Sequence, residues 1–149
     1  MSIDQLLSDI ETLKQEAAED SKINRVNLAS EALDIPALHS RWLNKFTDEK
    51  IALRSLQLKK NKVYHERWEY YLGRADAEVY KAEPFGLKVL KGDVHIYLGS
   101  DAKLAQINAK LEIQKEKVDF IEAVLHSISQ RNWNIKNAID FLKFTQGEI

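Results

Sequence analysis

The chain has 149 residues, 44% hydrophobic and 30% charged, with a formal net charge of −1. That apolar content excludes a disordered chain, and the length suits one compact domain or two small lobes. Cysteine is absent, which excludes disulfides and thiolate metal sites and fits a reducing compartment.

With only five glycines and two prolines, the chain has few breakers and should be mainly α-helical. Ser2 and Gln5 form a capping-box pattern ahead of an apolar stripe of Ile3, Leu6, Leu7, Ile10, Leu13 and Ala17. A first helix is therefore expected to end near Glu19–Ser21. It is acidic and lacks a basic leader or apolar core, so it is not read as a signal peptide. No apolar run approaches the ~20 residues that span a bilayer. Residues 20–36 read as a connector, with Pro36 in the first turn of the next helix.

From there a long helix is predicted to Leu72, stopped by Gly73. Its seam runs Trp42, Phe46, Glu49, Leu53, Leu56, Lys60, Val63, Arg67 and Tyr70, with three polar members that imply imperfect burial. A break near Thr47-Asp48 is compatible with the capping residues there. Residues 73–99 hold four of the five glycines, which marks a boundary between lobes. Leu87–Leu90 and Val94–Leu98 flank Lys91-Gly92-Asp93, and this predicts a short β-hairpin connector.

After a cap at Ser100 or Asp101, Leu104, Ile107, Leu111, Val118, Ile121, Leu125 and Ile128 keep a heptad seam, with Gln114 its one polar member. Arg131-Asn132-Trp133-Asn134 reads as a turn, and Ile135, Ile139 and Leu142 line a final helix stopped near Gly147. The two helices would make an αα-hairpin. Its apolar face needs cover, from a second copy or from the chain's own N-terminal lobe, and self-association is the reading adopted. The expected divisions are 1–76, an N-terminal helical lobe; 77–99, the connector; and 100–149, an oligomerisation region.

Charge is segregated. Residues 1–37 carry three bases and eight acids, residues 38–74 nine and four, and residues 75–149 ten and eleven. The basic stretch also holds Trp42, Phe46, Tyr64, Trp68, Tyr70 and Tyr71. Cations for phosphates and rings for bases suit single-stranded nucleic acid. The alternative is an acidic helix packed on a basic one, with the aromatics in the core.

No catalytic signature accompanies it. His39, His65, His95 and His126 are scattered without metal-ligand spacing. Phosphate-binding glycine loops, nucleophile elbows and two-metal carboxylate clusters are missing. A non-enzymatic protein without cofactor or metal is expected.

The runs LHSRWLNK (Leu38–Lys45) and ERWEYY (Glu66–Tyr71), followed by Gly73-Arg74, resemble the UvsY-type recombination mediator proteins of T4-like phages. The closing stretch Ile128–Gly147, with Arg131, Ile135-Lys136 and Phe144, is similar to the end of that family. The resemblance implies single-stranded DNA binding and ring-like homo-oligomers of about six or seven subunits, assembled through the C-terminal region. It also implies help in loading a RecA-like recombinase of the UvsX type onto DNA covered by the phage single-strand DNA-binding protein. Phage recombination, repair and recombination-dependent replication in the cytoplasm of the infected bacterial host follow from it.

In that family a lysine and an arginine two residues apart, near the end of the basic helix, form the DNA-binding motif. Arg67 matches the arginine, but His65 holds the lysine position, and a neutral imidazole supplies no fixed charge. The expected DNA-binding set is therefore Lys59, Lys60, Lys62, Tyr64, His65, Arg67, Trp68, Tyr71 and Arg74. The expected oligomerisation set is the heptad seam with Ile135, Ile139 and Leu142. A helical oligomeric scaffold that binds only proteins is the alternative reading.

Overall fold

The computed structural model describes residues 1–147, and all of its regular elements are helical. They are α1 (Ile3–Asp20), α2 (Leu28–Tyr71), α3 (Ala77–Ala82), a single 3-10 turn (Lys91–Asp93), α4 (Val94–Gly99) and α5 (Ala102–Thr145). The helices α2 and α5 have 44 residues each and run antiparallel, since side chains pair Glu31 with Arg131, Glu49 with Gln114 and Arg67 with Asp101.

The first helix starts where the capping residues put it. The Ser2 hydroxyl accepts from the Gln5 N–H at 3.1 Å, although the Gln5 amide bonds to Asp9 rather than back to Ser2. The second helix begins eight residues before Pro36, with Asn27 as its cap. Pro36 is exposed, where water can serve the carbonyl its missing N–H leaves free. No break forms at Thr47-Asp48. The Thr47 hydroxyl donates to the Leu43 carbonyl one turn back at 3.0 Å, and so does not cap a new helix.

Two apolar clusters weld the long helices. At one end Leu13, Trp42, Ile121 and Ile128 join α1, α2 and α5. At the other, Val94, Leu98, Leu104 and Ile107 pack against Leu56, Val63, Trp68 and Tyr71. Between them lies a polar layer. The buried Gln114 amide donates to the Glu49 carbonyl (2.9 Å) and carboxylate (2.7 Å). The Lys117 ammonium lies 3.1 Å from Glu49 and 3.4 Å from Asp9. Glu49 and Gln114, one polar member of each seam, thus satisfy one another, and Lys117 neutralises Glu49.

Two expectations are corrected. There is no β-hairpin among the described residues: 84–90 forms no regular element, and Val94–Leu98 is helical. Val94 and Leu98 are one turn apart and both buried in the second cluster. That burial overrides their β propensity. Nor is there an αα-hairpin. The helix α5 continues through Arg131–Asn134, because Ile128, Arg131 and Ile135 lie on one stripe and all three are buried.

Most of the expected self-association seam is buried within the protomer. Leu104, Ile107, Leu111, Val118, Ile121, Ile128 and Ile135 are buried, and Leu125 and Ile139 are half-buried. Leu142 is exposed, as are Trp133, Phe141 and Phe144.

Candidate nucleic-acid interface

The basic stretch of α2 divides into three parts. In the first, acids of α1 neutralise the cations. Arg41 pairs with Asp20, and Lys45 lies 2.9 Å from Glu16. Trp42 has no exposed surface, and its indole N–H donates to Asp20 at 2.9 Å. This part serves packing.

The second part runs from Lys50 to His65. No acid occurs in it, while Lys50, Arg54, Lys59, Lys60 and Lys62 supply five cations. Among the described residues none of the five has a carboxylate within salt-bridge distance. All but the half-buried Lys60 are exposed, and Lys110 of α5 borders the same groove as Lys59. Tyr64 is exposed and stacks on the half-buried Trp68, with ring centroids 6.3 Å apart and 29° between planes. The exposed His65 follows. A cation row ending in a ring pair offers phosphates a strip and one or two bases a platform.

The third part is closed. Arg67 is 4% exposed. Its Nε donates to Asp101 at 2.6 Å, and its two terminal nitrogens donate to the Glu83 carboxylate at 3.0 and 3.1 Å. The guanidinium lies 4.0 Å from the centroid of Tyr70 and 5.2 Å from that of Tyr71. The Tyr71 hydroxyl donates to Asp101 at 2.7 Å, and its ring meets Phe85 and Tyr97. Asp101 also caps α5, accepting from the Leu104 N–H at 2.8 Å.

Burial opposes charge in this cluster, and the hydrogen bonds overcome it. Burial alone would lift the Asp101 carboxyl, but bonds from Tyr71, the Leu104 N–H and Arg67 hold it below its ordinary value. Arg67 binds its proton more tightly than usual, because its carboxylate partners outweigh desolvation. The Arg67 hydrogen bond is the main cause that lowers Glu83. Burial pushes the phenols of Tyr70 and Tyr71 up.

Of the nine expected DNA-binding residues, Lys59, Lys62, Tyr64, His65 and Arg74 are exposed, Lys60, Trp68 and Tyr71 are half-buried, and Arg67 is buried. Gly73 adopts φ +77° and the Arg74 N–H closes onto the Glu69 carbonyl at 2.9 Å. This Schellman-type stop turns Arg74 away from the helix axis. Lys50 and Arg54 are among the nine bases of the stretch but outside the expected DNA-binding set, and Lys110 lies outside the stretch. The acid-free run was the available signal for the first two, whereas Lys110 comes near only through the pairing of α5 with α2.

A family model described as "Recombination, repair and ssDNA binding protein UvsY" matches residues 16–148, from the last turns of α1 to beyond α5. This chain belongs to the UvsY family. It is 26% identical over 139 residues to the recombination protein uvsY of Enterobacteria phage T4, covering 93% of this chain and 98% of the relative. Two crystal structures of the bacteriophage T4 recombination mediator protein UvsY superpose with TM-scores of 0.80 and 0.79 at 26% identity. They cover 91% and 90% of this chain and 98% of each T4 chain. The shared UvsY fold thus includes both long helices and the connector between them. Among the described residues no helix is long and apolar enough to cross a membrane.

Proposed function

We propose that this UvsY-family protein is a recombination mediator that acts by binding alone. It holds single-stranded DNA along the exposed face of α2 and assists a RecA-like recombinase onto strands covered by a single-strand DNA-binding protein. The observation that carries the reading is the run Lys50–His65, where five cations have no carboxylate within salt-bridge distance among the described residues and lead to the Tyr64–Trp68 ring pair. Lys59, Lys62 and Arg54 neutralise phosphates, with Lys60, His65 and Arg74 at the margins. Tyr64 stacks on a base, backed by Trp68.

Assembly into a homo-oligomer then draws on the end of α5, because most of the heptad seam is occupied within the protomer. Trp133, Phe141, Leu142 and Phe144 are exposed there, with Val26 and Leu33 of the α1–α2 side. Phe141 and Leu142 border a groove of about 790 Å³ with Ile23, Leu28 and Ile135. An apolar surface of this kind marks an interaction site in a protein that is otherwise strongly charged. Repeating the α2 face around an assembly raises the effective concentration of weak sites on one strand.

The test is oligonucleotide titration against salt. Log affinity should fall linearly with log salt concentration, and Lys59→Ala and Lys62→Ala should each reduce the slope. Salt-insensitive binding, or none, would favour a scaffold that recognises only proteins.

A further inference from the structure

We propose that Arg67, one of the nine residues expected to bind DNA, is a positioning residue rather than a phosphate contact. The inference rests on the single-stranded DNA-binding reading above. Its basis is the geometry of the guanidinium. Nε is committed to Asp101 and both terminal nitrogens to Glu83, and the ring faces of Tyr70 and Tyr71 lie 4.0 and 5.2 Å from its centre. The side chain is 5% exposed.

Local charge makes the same point. Glu83 and Asp101 balance Arg67 together with Lys103, which lies 3.6 Å from Glu83. The cluster therefore offers a polyanion no net attraction. To reach a phosphate Arg67 would have to abandon Asp101, whose side chain is 2% exposed, and an unpaired buried carboxylate is costly.

What Arg67 does hold is the end of the platform. Through Glu83 it ties the residue after α3, and through Asp101 the cap of α5, to the last turns of α2. Those turns carry Val63, Trp68 and Tyr71 against Val94, Leu98, Leu104 and Ile107. At 3.6 residues per turn Lys62 projects about 140° away from Arg67 around the helix axis. Lys62 thus lies on the outer surface of a segment that Arg67 clamps from within, while the exposed Tyr64 leans on the half-buried Trp68 that the same segment holds against the apolar cluster.

Contact and clamp predict opposite results for the partner acid. The full-length wild type, Asp101→Asn, Arg67→Ala and Lys62→Ala are titrated with a single-stranded oligonucleotide at several salt concentrations. Each is measured well below its own Tm, with circular dichroism confirming the fold. Asparagine preserves the shape and the capping oxygen of Asp101 but removes the charge that holds Arg67. The clamp predicts that Asp101→Asn lowers the Tm and weakens binding at least about fivefold, the lower end of typical site-to-site coupling, with the wild-type salt slope. Lys62→Ala should instead lower the slope at an unchanged Tm.

Binding by Asp101→Asn equal to or tighter than wild type would overturn the proposal. So would a folded Arg67→Ala whose slope falls as far as that of Lys62→Ala. If Arg67→Ala does not fold, the sign of the Asp101→Asn effect decides. Absence of salt-dependent binding by the wild type is a separate result, and overturns the DNA-binding reading itself.

Discussion

Truncating Ile121 to alanine tests whether the heptad seam of α5 holds one protomer together or joins several. Ile121 has no exposed surface and meets Leu13, Trp42 and Ile128 where three helices converge. The substitution removes three carbons. At about 0.8 kcal/mol per buried methylene the transfer loss is roughly 2.4 kcal/mol, and the cavity left between rigid helices brings the total to about 2–5 kcal/mol. For a chain of this size 1 kcal/mol moves the Tm by about 2–4 °C, so ~3 kcal/mol lowers it by roughly 6–12 °C. Phe144→Ala is the control, because Phe144 is 80% exposed and its loss should leave protomer stability within about 0.5 kcal/mol. Urea unfolding at two protein concentrations, alongside light scattering, separates the effects, since assembly makes stability depend on concentration. Ile121→Ala should shift the midpoint at both concentrations, while Phe144→Ala should reduce the assembled mass. If Ile121→Ala lowers the mass and leaves the midpoint at low concentration where it was, the seam lies between subunits and the intramolecular packing argument fails.

Acid should attack the Arg67 cluster. Asp101 and Glu83 are both held below their ordinary carboxylate values in the fold, so their contribution is present above pH ~4 and is lost as pH falls through the folded values. Asp101→Asn should flatten the acid limb of a Tm-against-pH curve while lowering the neutral plateau, and a limb as steep as wild type would count against this assignment. Tyr64→Ala should weaken single-stranded DNA binding by the ~1–3 kcal/mol of one stacked base without altering the salt slope; unchanged affinity would remove Tyr64 from the platform. Arg131 donates to the Asp20 and Lys22 carbonyls and to Glu31, so Arg131→Met should speed hydrogen exchange in residues 21–27. Wild-type protection there would show that other contacts suffice.

Much of each long helix was legible because stripes and stops are local, but the start of α2 at Leu28 was not, since Pro36 reads as a first-turn residue and the helix carries it eight residues in. Ser2, Gly73 and Asp101 act as read from sequence, and the 4,3 spacing of α2 names its buried face, Trp42 and Tyr70 included. The other misread segments are those where a distant surface decides. Val94–Leu98 is β-prone by composition, but α2 and α5 supply a slot that buries residues one turn apart. Arg131–Asn134 looks like a turn until the α1–α2 loop provides carbonyls for Arg131. Periodicity also could not say whose face covers the heptad seam, since a partner helix and the chain's own α2 impose the same spacing. Arg67 was visible as a polar seam member and as a motif residue. Its two carboxylate partners, 16 and 34 residues away, were not.

Charge segregation resolves along the length of α2. In its first half the acids of α1, a helix that packs chiefly on α5, take the α2 cations, Asp20 pairing with Arg41 and Glu16 with Lys45. The last inward acid of α1 is Asp9, which shares Lys117 with Glu49. Beyond Glu49 the α2 sequence has no acid until Glu66, and α1 adds no carboxylate within reach of its cations. The same alignment that consumes the early charges therefore leaves the later ones without a carboxylate partner among the described residues. At the far end the Arg67 cluster closes on itself. The unneutralised row is bounded on both sides by paired charge, and a near-neutral chain can present it as a localised field that weakens over about 10 Å at 0.1 M salt. Introducing glutamate at Leu58, an exposed residue within that row, should neutralise a neighbouring lysine and weaken binding without disturbing the core.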